Sequence, residues 1–163
     1  MKTKTILWSM LLLLSTVLVA CDDDDNSNTK SFKVSNVTNS GCKANAAKSD
    51  DANANATDNT VESIVCEAVG ENAMRVTHNN AVLNCEPGTI NIDAKREGNI
   101  ITVTESETTN LANCVCYYDL GCKIEPIEDG EFTVIIKHKD KEKTRFTISY
   151  NSSMKEEFVI SEK

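Results

Sequence analysis

Aromatic side chains are scarce in this chain of 163 residues: four Phe, three Tyr and a single Trp. That Trp8 lies inside the apolar N-terminal stretch. No tryptophan is therefore left for a folded core, which excludes the antibody-type pattern of a core tryptophan behind a disulfide. No second apolar run of that length follows, so nothing later in the chain reads as a membrane-spanning helix. Cations are outnumbered, 17 Lys and Arg against 25 Asp and Glu, and no basic patch with interleaved aromatics occurs. Phosphate contacts need Lys and Arg, so no nucleic-acid partner is expected. Catalytic signatures are missing as well. G-x-S-x-G and C-x-x-C do not occur, which argues against an elbow serine and a thioredoxin-like dithiol. The two histidines, His78 and His138, lie far apart with no acid or nucleophile beside either, and both read as surface or strand-edge residues. Acid pairs such as Glu128-Asp129 and Glu156-Glu157 fall in turns or edges, whereas hydrolytic carboxylates need a cleft and a fixed separation. We assign no catalytic residue and expect no enzyme and no cofactor.

What is present begins with MKTKTILWSMLLLLSTVLVA, residues 1–20. Lys2 and Lys4 give a positive start, an apolar core runs from Ile6, and small residues precede Cys21. This is the layout of a secretory signal peptide. Leu18-Val19-Ala20-Cys21 resembles the lipobox of bacterial lipoproteins. The resemblance implies cleavage before Cys21, acylation of Cys21 and membrane attachment through that lipid, palmitate among its chains. Several acyl chains hold a protein far more firmly than one, and can replace a spanning helix. Asp22, Asp23, Asp24 and Asp25 follow at once. They resemble the acidic export signal of Bacteroidetes lipoproteins, which implies an outer-membrane protein facing the cell exterior, the periplasmic face being the alternative. Loss of the signal peptide removes Lys2 and Lys4 and leaves 15 cations against 25 acids, a formal charge of −10. Such a charge favours solubility and disfavours anionic partners.

Three regions follow. Residues 1–20 are the signal peptide, 21–30 an acidic tether, and 31–163 a single domain. Within the last, residues 43–60 are low in complexity and almost free of large apolar groups, so a mobile loop is expected. Downstream the chain alternates apolar and polar residues in short runs with turn signals about every ten residues. Strands are expected near 31–37, 61–69, 73–85, 89–95, 100–105, 114–119, 122–127, 131–138, 144–150 and 157–161, the third broken at Asn79-Asn80. Lys139 to Lys143 is expected as a charged hairpin loop. No helix longer than two turns and no internal repeat is evident. The fold expected is an all-β, antiparallel β-sandwich, immunoglobulin-like in architecture.

Cys42, Cys66, Cys85, Cys114, Cys116 and Cys122 remain after Cys21 is set aside. An even number in an exported chain suggests three disulfides of unassigned pairing. Close spacing of Cys114, Cys116 and Cys122 also suits zinc or copper with His78 or His138 as a further ligand, but the second half of a zinc-type pair is missing. Asp51, Asn53, Asn55, Asn59 and Glu62 fall at calcium-loop spacing, but Ala56 stands where that loop needs glycine. No metal site is assigned. Tyr117 and Tyr118 point to opposite faces of one strand, one into the core and one available for a sugar or protein contact.

A second resemblance lies in the C-terminal half. Cys114-Val115-Cys116-Tyr117-Tyr118-Asp119, followed by Gly130-Glu131-Phe132-Thr133-Val134, is similar to a segment of small Bacteroidetes lipoproteins with a six-cysteine β domain. It implies a secreted β-sandwich and carries no catalytic residues. The function expected is a lipid-anchored binding or structural module that engages a protein or glycan through its loops. The alternatives are an accessory hydrolase of glycan use and a metal-binding envelope protein.

Overall fold

The computed structural model describes residues 32–43, 61–108 and 112–160. Strand formation follows the alternation of the sequence. Among the described residues nine strands run in chain order: β1 (Lys33–Asn39), β2 (Ser63–Ala68), β3 (Met74–Asn84), β4 (Ile90–Glu97), β5 (Ile100–Glu107), β6 (Val115–Glu125), β7 (Gly130–His138), β8 (Lys141–Tyr150) and β9 (Lys155–Val159). They form a five-stranded sheet in the order β1-β6-β3-β2-β9 and a four-stranded sheet in the order β4-β5-β7-β8. The protein is thus an all-β sandwich of two packed sheets.

One ladder departs from a purely antiparallel arrangement. β5 and β7 pair in parallel, Ile101 opposite Val134 and Val103 opposite Ile136. The reason is topological. β6 leaves for the five-stranded sheet and the chain then returns, so two strands of one sheet flank a strand of the other and run the same way. Two expected boundaries also change. Asn79-Asn80 does not end β3, because Asn80 takes a left-handed conformation (φ 57°) and the register with β6 shifts between His78 and Ala81. Asparagine tolerates that conformation, so a bulge forms instead of a turn. The segments expected at 114–119 and 122–127 are one strand, β6, which passes through Gly121 without a break. The Lys139–Lys143 loop shrinks to a two-residue turn, with Lys139 at φ 54°.

The inner faces meet in an aliphatic core. Ile64, Met74, Val76 and Ile124 of one sheet pack against Ile101, Val103, Val134, Ile136 and Ile148 of the other. Each fully buried side chain of this size contributes about 1.5–3 kcal/mol of transfer free energy. A second cluster of Ala81, Leu83, Cys116, Tyr118 and Leu120 fills the end beneath Ile90 and Ile92. Phe146 and Phe158 stack 3.9 Å apart between centroids, joining the β8 and β9 edges of the two sheets. The two buried tyrosines satisfy their hydroxyls: Tyr118 donates to the Asn84 carbonyl (3.1 Å) and Tyr150 to the Ala73 carbonyl (3.0 Å).

Sulfur pairing corrects the expectation of three bridges. Cys42 joins Cys116 and Cys85 joins Cys114, while Cys66 and Cys122 are buried thiols. The register explains why these two stay apart. Cys66 and Cys122 both face Val76, one from β2 and one from β6. Two strand spacings, about 10 Å, separate their backbones, and a disulfide spans at most about 7 Å. Burial pushes both thiols up to about 12, so they act as small hydrophobic groups.

Candidate functional site

The outer face of the four-stranded sheet is not flat. A trough of about 580 Å³ lies along it. Period-2 alternation places its side chains: Val103, Val134 and Ala94 point inward, so Thr102, Ile135 and Lys95 point outward. Registers then assemble them into a row across all four strands. Lys95 of β4 lies opposite Thr102 of β5, Thr102 opposite Ile135 of β7, and Ile135 opposite Arg145 of β8. Ile135 is only 7% exposed although it sits on the outer face, because its neighbours wall it in. A neighbouring row sets Asp93, Thr104 and Lys137 side by side. The trough therefore has an apolar floor, hydroxyl donors and acceptors along its middle, and charges of both signs on its walls. Arg145 is held in place by two hydrogen bonds to Glu142, from Nε at 3.1 Å and from Nη2 at 2.8 Å. Such a surface can hold a polar ligand by hydrogen bonds while covering part of it against Ile135 and Ile100.

A charged cluster sits between the sheets. His78 of β3 is 2% exposed, and its imidazole lies between two carboxylates. Nδ1 is 2.8 Å from Glu105 Oε2 on β5 and Nε2 is 2.9 Å from Glu62 Oε1 at the head of β2. Lys143 Nζ lies 3.2 Å from Glu62 Oε1 and caps the cluster from β8. Burial alone would lower the His78 value. The hydrogen bonds and charges of Glu105 and Glu62 outweigh it and raise His78 to about 9, so the imidazolium persists at neutral pH. Burial works against Glu62 too, yet His78 and Lys143 hold its carboxyl below the usual range. With both ring nitrogens donating to carboxylates, the ring has no lone pair to take a proton from a substrate.

His78 therefore differs from the expectation of a surface or strand-edge residue. His138 is the more accessible of the two histidines, its Nε2 2.7 Å from Glu107 Oε2 without the alignment of a hydrogen bond. Lys139 Nζ donates to Glu107 Oε1 at 2.9 Å. The sequence did carry a signal for His78. Met74, Val76 and His78 fall on alternate positions of one strand, so the third shares the inward face of the first two. The outer row at Lys95, Thr102, Ile135 and Arg145 had no such signal, because alternation assigns a face but not the neighbours across it.

The remaining sequence-derived sites are distributed as follows. Cys21 and Asp22 to Asp25 lie outside the described residues, as does the Asp51–Asn59 part of the calcium-like spacing, and Glu62 is engaged by His78 and Lys143. Cys114 and Cys116 are disulfide-bonded, while Cys122 lies six residues further along β6, about 20 Å away. The three do not form one ligand set. Tyr118 is core and Tyr117 is half-buried on the other face. Lys43, at the start of the expected loop, is fixed by Asp119 (2.8 Å) and Asn80 (2.7 Å). Burial would raise the Asp119 carboxyl, but hydrogen bonds from Lys43 and the Asn80 amide bring it below the usual range. Among the described residues, no helix is long and apolar enough to cross a membrane. Compared with known proteins, the chain matches no family model, no curated protein and no solved structure.

Proposed function

We propose that this chain is a lipid-anchored binding module of the bacterial outer surface, and that the trough on its four-stranded sheet receives a hydrophilic polymer, a glycan in preference to a protein. The anchor rests on Leu18-Val19-Ala20-Cys21 and the surface location on Asp22 to Asp25. The observation that carries the binding role is the outward row of Lys95, Thr102, Ile135 and Arg145, in which an apolar floor is flanked by hydrogen-bonding groups. Sugars present the same alternation of C–H faces and hydroxyls, and shallow polar clefts on rigid sheets suit extended chains. This replaces the loops as the expected contact surface. A hydrolase receives less support, because the one histidine set between carboxylates is sealed inside the sandwich.

Two experiments test the proposal. Cells fed an alkyne-tagged palmitate should label the full chain and not C21A, and external protease should remove the labelled domain from intact cells. Absence of label on the wild type would sink the anchor. The detergent-solubilised mature chain, screened against immobilised glycans, should retain at least one class, and K95E/R145E should lose it. Retention unchanged in that variant would remove the trough from the binding role.

A further inference from the structure

The two disulfides lie against each other. Cys114 and Cys116 stand two residues apart at the start of β6, and the Cys85 amide donates to the Cys114 carbonyl (3.2 Å), which sets Cys85 beside them. Cys42 arrives from the end of β1 to meet Cys116. The Cys116 Sγ is consequently 3.2 Å from the Cys85 Sγ of the neighbouring bridge. A disulfide bond is about 2.05 Å long, so a motion of about 1 Å would join them. Exposure is distributed unevenly over the four. Cys42 and Cys114 are exposed, Cys85 is half-buried, and Cys116 is fully buried.

We propose that Cys42, Cys85, Cys114 and Cys116 form a thiol–disulfide exchange site whose co-reactant is an external thiol. The external thiolate attacks the exposed Cys42 Sγ. The Cys42–Cys116 bond breaks, a mixed disulfide forms on Cys42, and Cys116 leaves as the thiolate. Cys116 then attacks Cys85 Sγ, forming Cys85–Cys116 and expelling Cys114 as the thiolate. One disulfide is made for each one broken, so no separate oxidant or reductant is consumed. The net result is that a thiolate entering at Cys42 emerges at Cys114, relayed through two less accessible sulfurs. Cys66 and Cys122 take no part, since both lie in the main core with Val76 between them. The site is independent of the trough and of any ligand there.

Two variants of the full chain, produced in an oxidising compartment, decide the matter. C42S deprives Cys116 of its partner and C114S deprives Cys85 of its own. If the relay operates, both settle on the same bridge, Cys85–Cys116. Peptide mapping without reduction would find that bridge in each variant. Native alkylation would then mark Cys114 in C42S and Cys42 in C114S. Retention of Cys85–Cys114 alone in C42S, and of Cys42–Cys116 alone in C114S, would overturn the proposal. Should either variant fail to fold, the wild type answers instead. After brief native exposure to 2-mercaptoethanol and acid quenching, the expected species carries the adduct on Cys42 together with a Cys85–Cys116 bridge. An adduct on Cys42 with Cys85–Cys114 intact, or no adduct at all, would refute it.

Discussion

His78 joins the two halves of the sandwich by charge. Its ring touches Glu105 from the opposite sheet and Glu62 from the head of β2, the latter shared with Lys143. Removing one member of a buried ionic set leaves the rest uncompensated, which costs about 3–5 kcal/mol. H78Q should therefore lower the urea midpoint by that equivalent with little change in m, and a loss below about 1 kcal/mol would contradict the reading. The same residue fixes a pH dependence. Its folded value, about 9, stands above the unfolded value near 6.5. The stabilisation is complete below about pH 6.5, declines as pH rises, and is exhausted above about pH 9, a fall of roughly 3 kcal/mol. Glu62 acts in the other direction. Its folded value is depressed, so its contribution is present above the unfolded value of 4.5 and is lost as pH falls below it. Wild-type stability should thus be greatest between about pH 5 and 6.5 for these two groups, and the alkaline decline should vanish in H78Q. At this scale the inward face of His78 was readable from Met74 and Val76. Its partners were not, because Glu62 and Glu105 lie 16 and 27 residues away.

Edge strand β1 meets β6 where glycine matters. Thr38 lies directly opposite Gly121, and a Cβ built on Gly121 would stand 2.7 Å from Thr38 Oγ1. G121A should destabilise by about 1–3 kcal/mol through this overlap, and T38A should remove most of the cost, since the contact is one side-chain oxygen. Urea denaturation of G121A, T38A and the double variant completes the cycle. Equal penalties with and without Thr38 would show that the overlap is not the cause. The same glycine explains one misreading of the sequence. Asp119-Leu120-Gly121 interrupts the apolar alternation and resembles a turn, yet β6 continues because a glycine lets a crowded neighbouring strand approach. At Asn79-Asn80 the turn-like pair became a bulge, held by the Asn80 amide donating to Asp119 (3.1 Å) and by Asn80 Nδ2 donating to the Val61 carbonyl (2.9 Å). Strands such as β4, β5 and β7 were legible because their inward positions keep an apolar period of two, as at Ile101 and Val103 or Phe132, Val134 and Ile136. The interruptions were misread because glycine and asparagine serve turns and bulges alike.

The order of strands in the whole molecule could not be read from local pattern. The β5–β7 ladder, the placing of β1 beside β6, and the sulfur partners all join residues far apart in sequence. The disulfides reinforce pairings of that kind. Cys42–Cys116 spans 74 residues and Cys85–Cys114 spans 29. Loop-closure entropy assigns about 4.5 kcal/mol to the former and about 3.6 kcal/mol to the latter. C42A/C116A should therefore lose more stability than C85A/C114A in urea titrations, and the reverse order would show that entropy of the unfolded chain is not the deciding factor. The longer bridge has a mechanical meaning as well. On the anchored reading, any pull on the membrane attachment reaches β1 at its Lys33 end, where Lys33 faces Glu125. Loading a ladder at one end opens it like a zip, one bond pair at a time, so this edge strand is the first to yield. Cys42 lies just beyond the other end of β1, and its bond to Cys116 ties the loosened strand to β6, itself clasped by β3. The seam can be opened as far as Cys42, and there the load passes through a covalent rivet into the middle of the sheet.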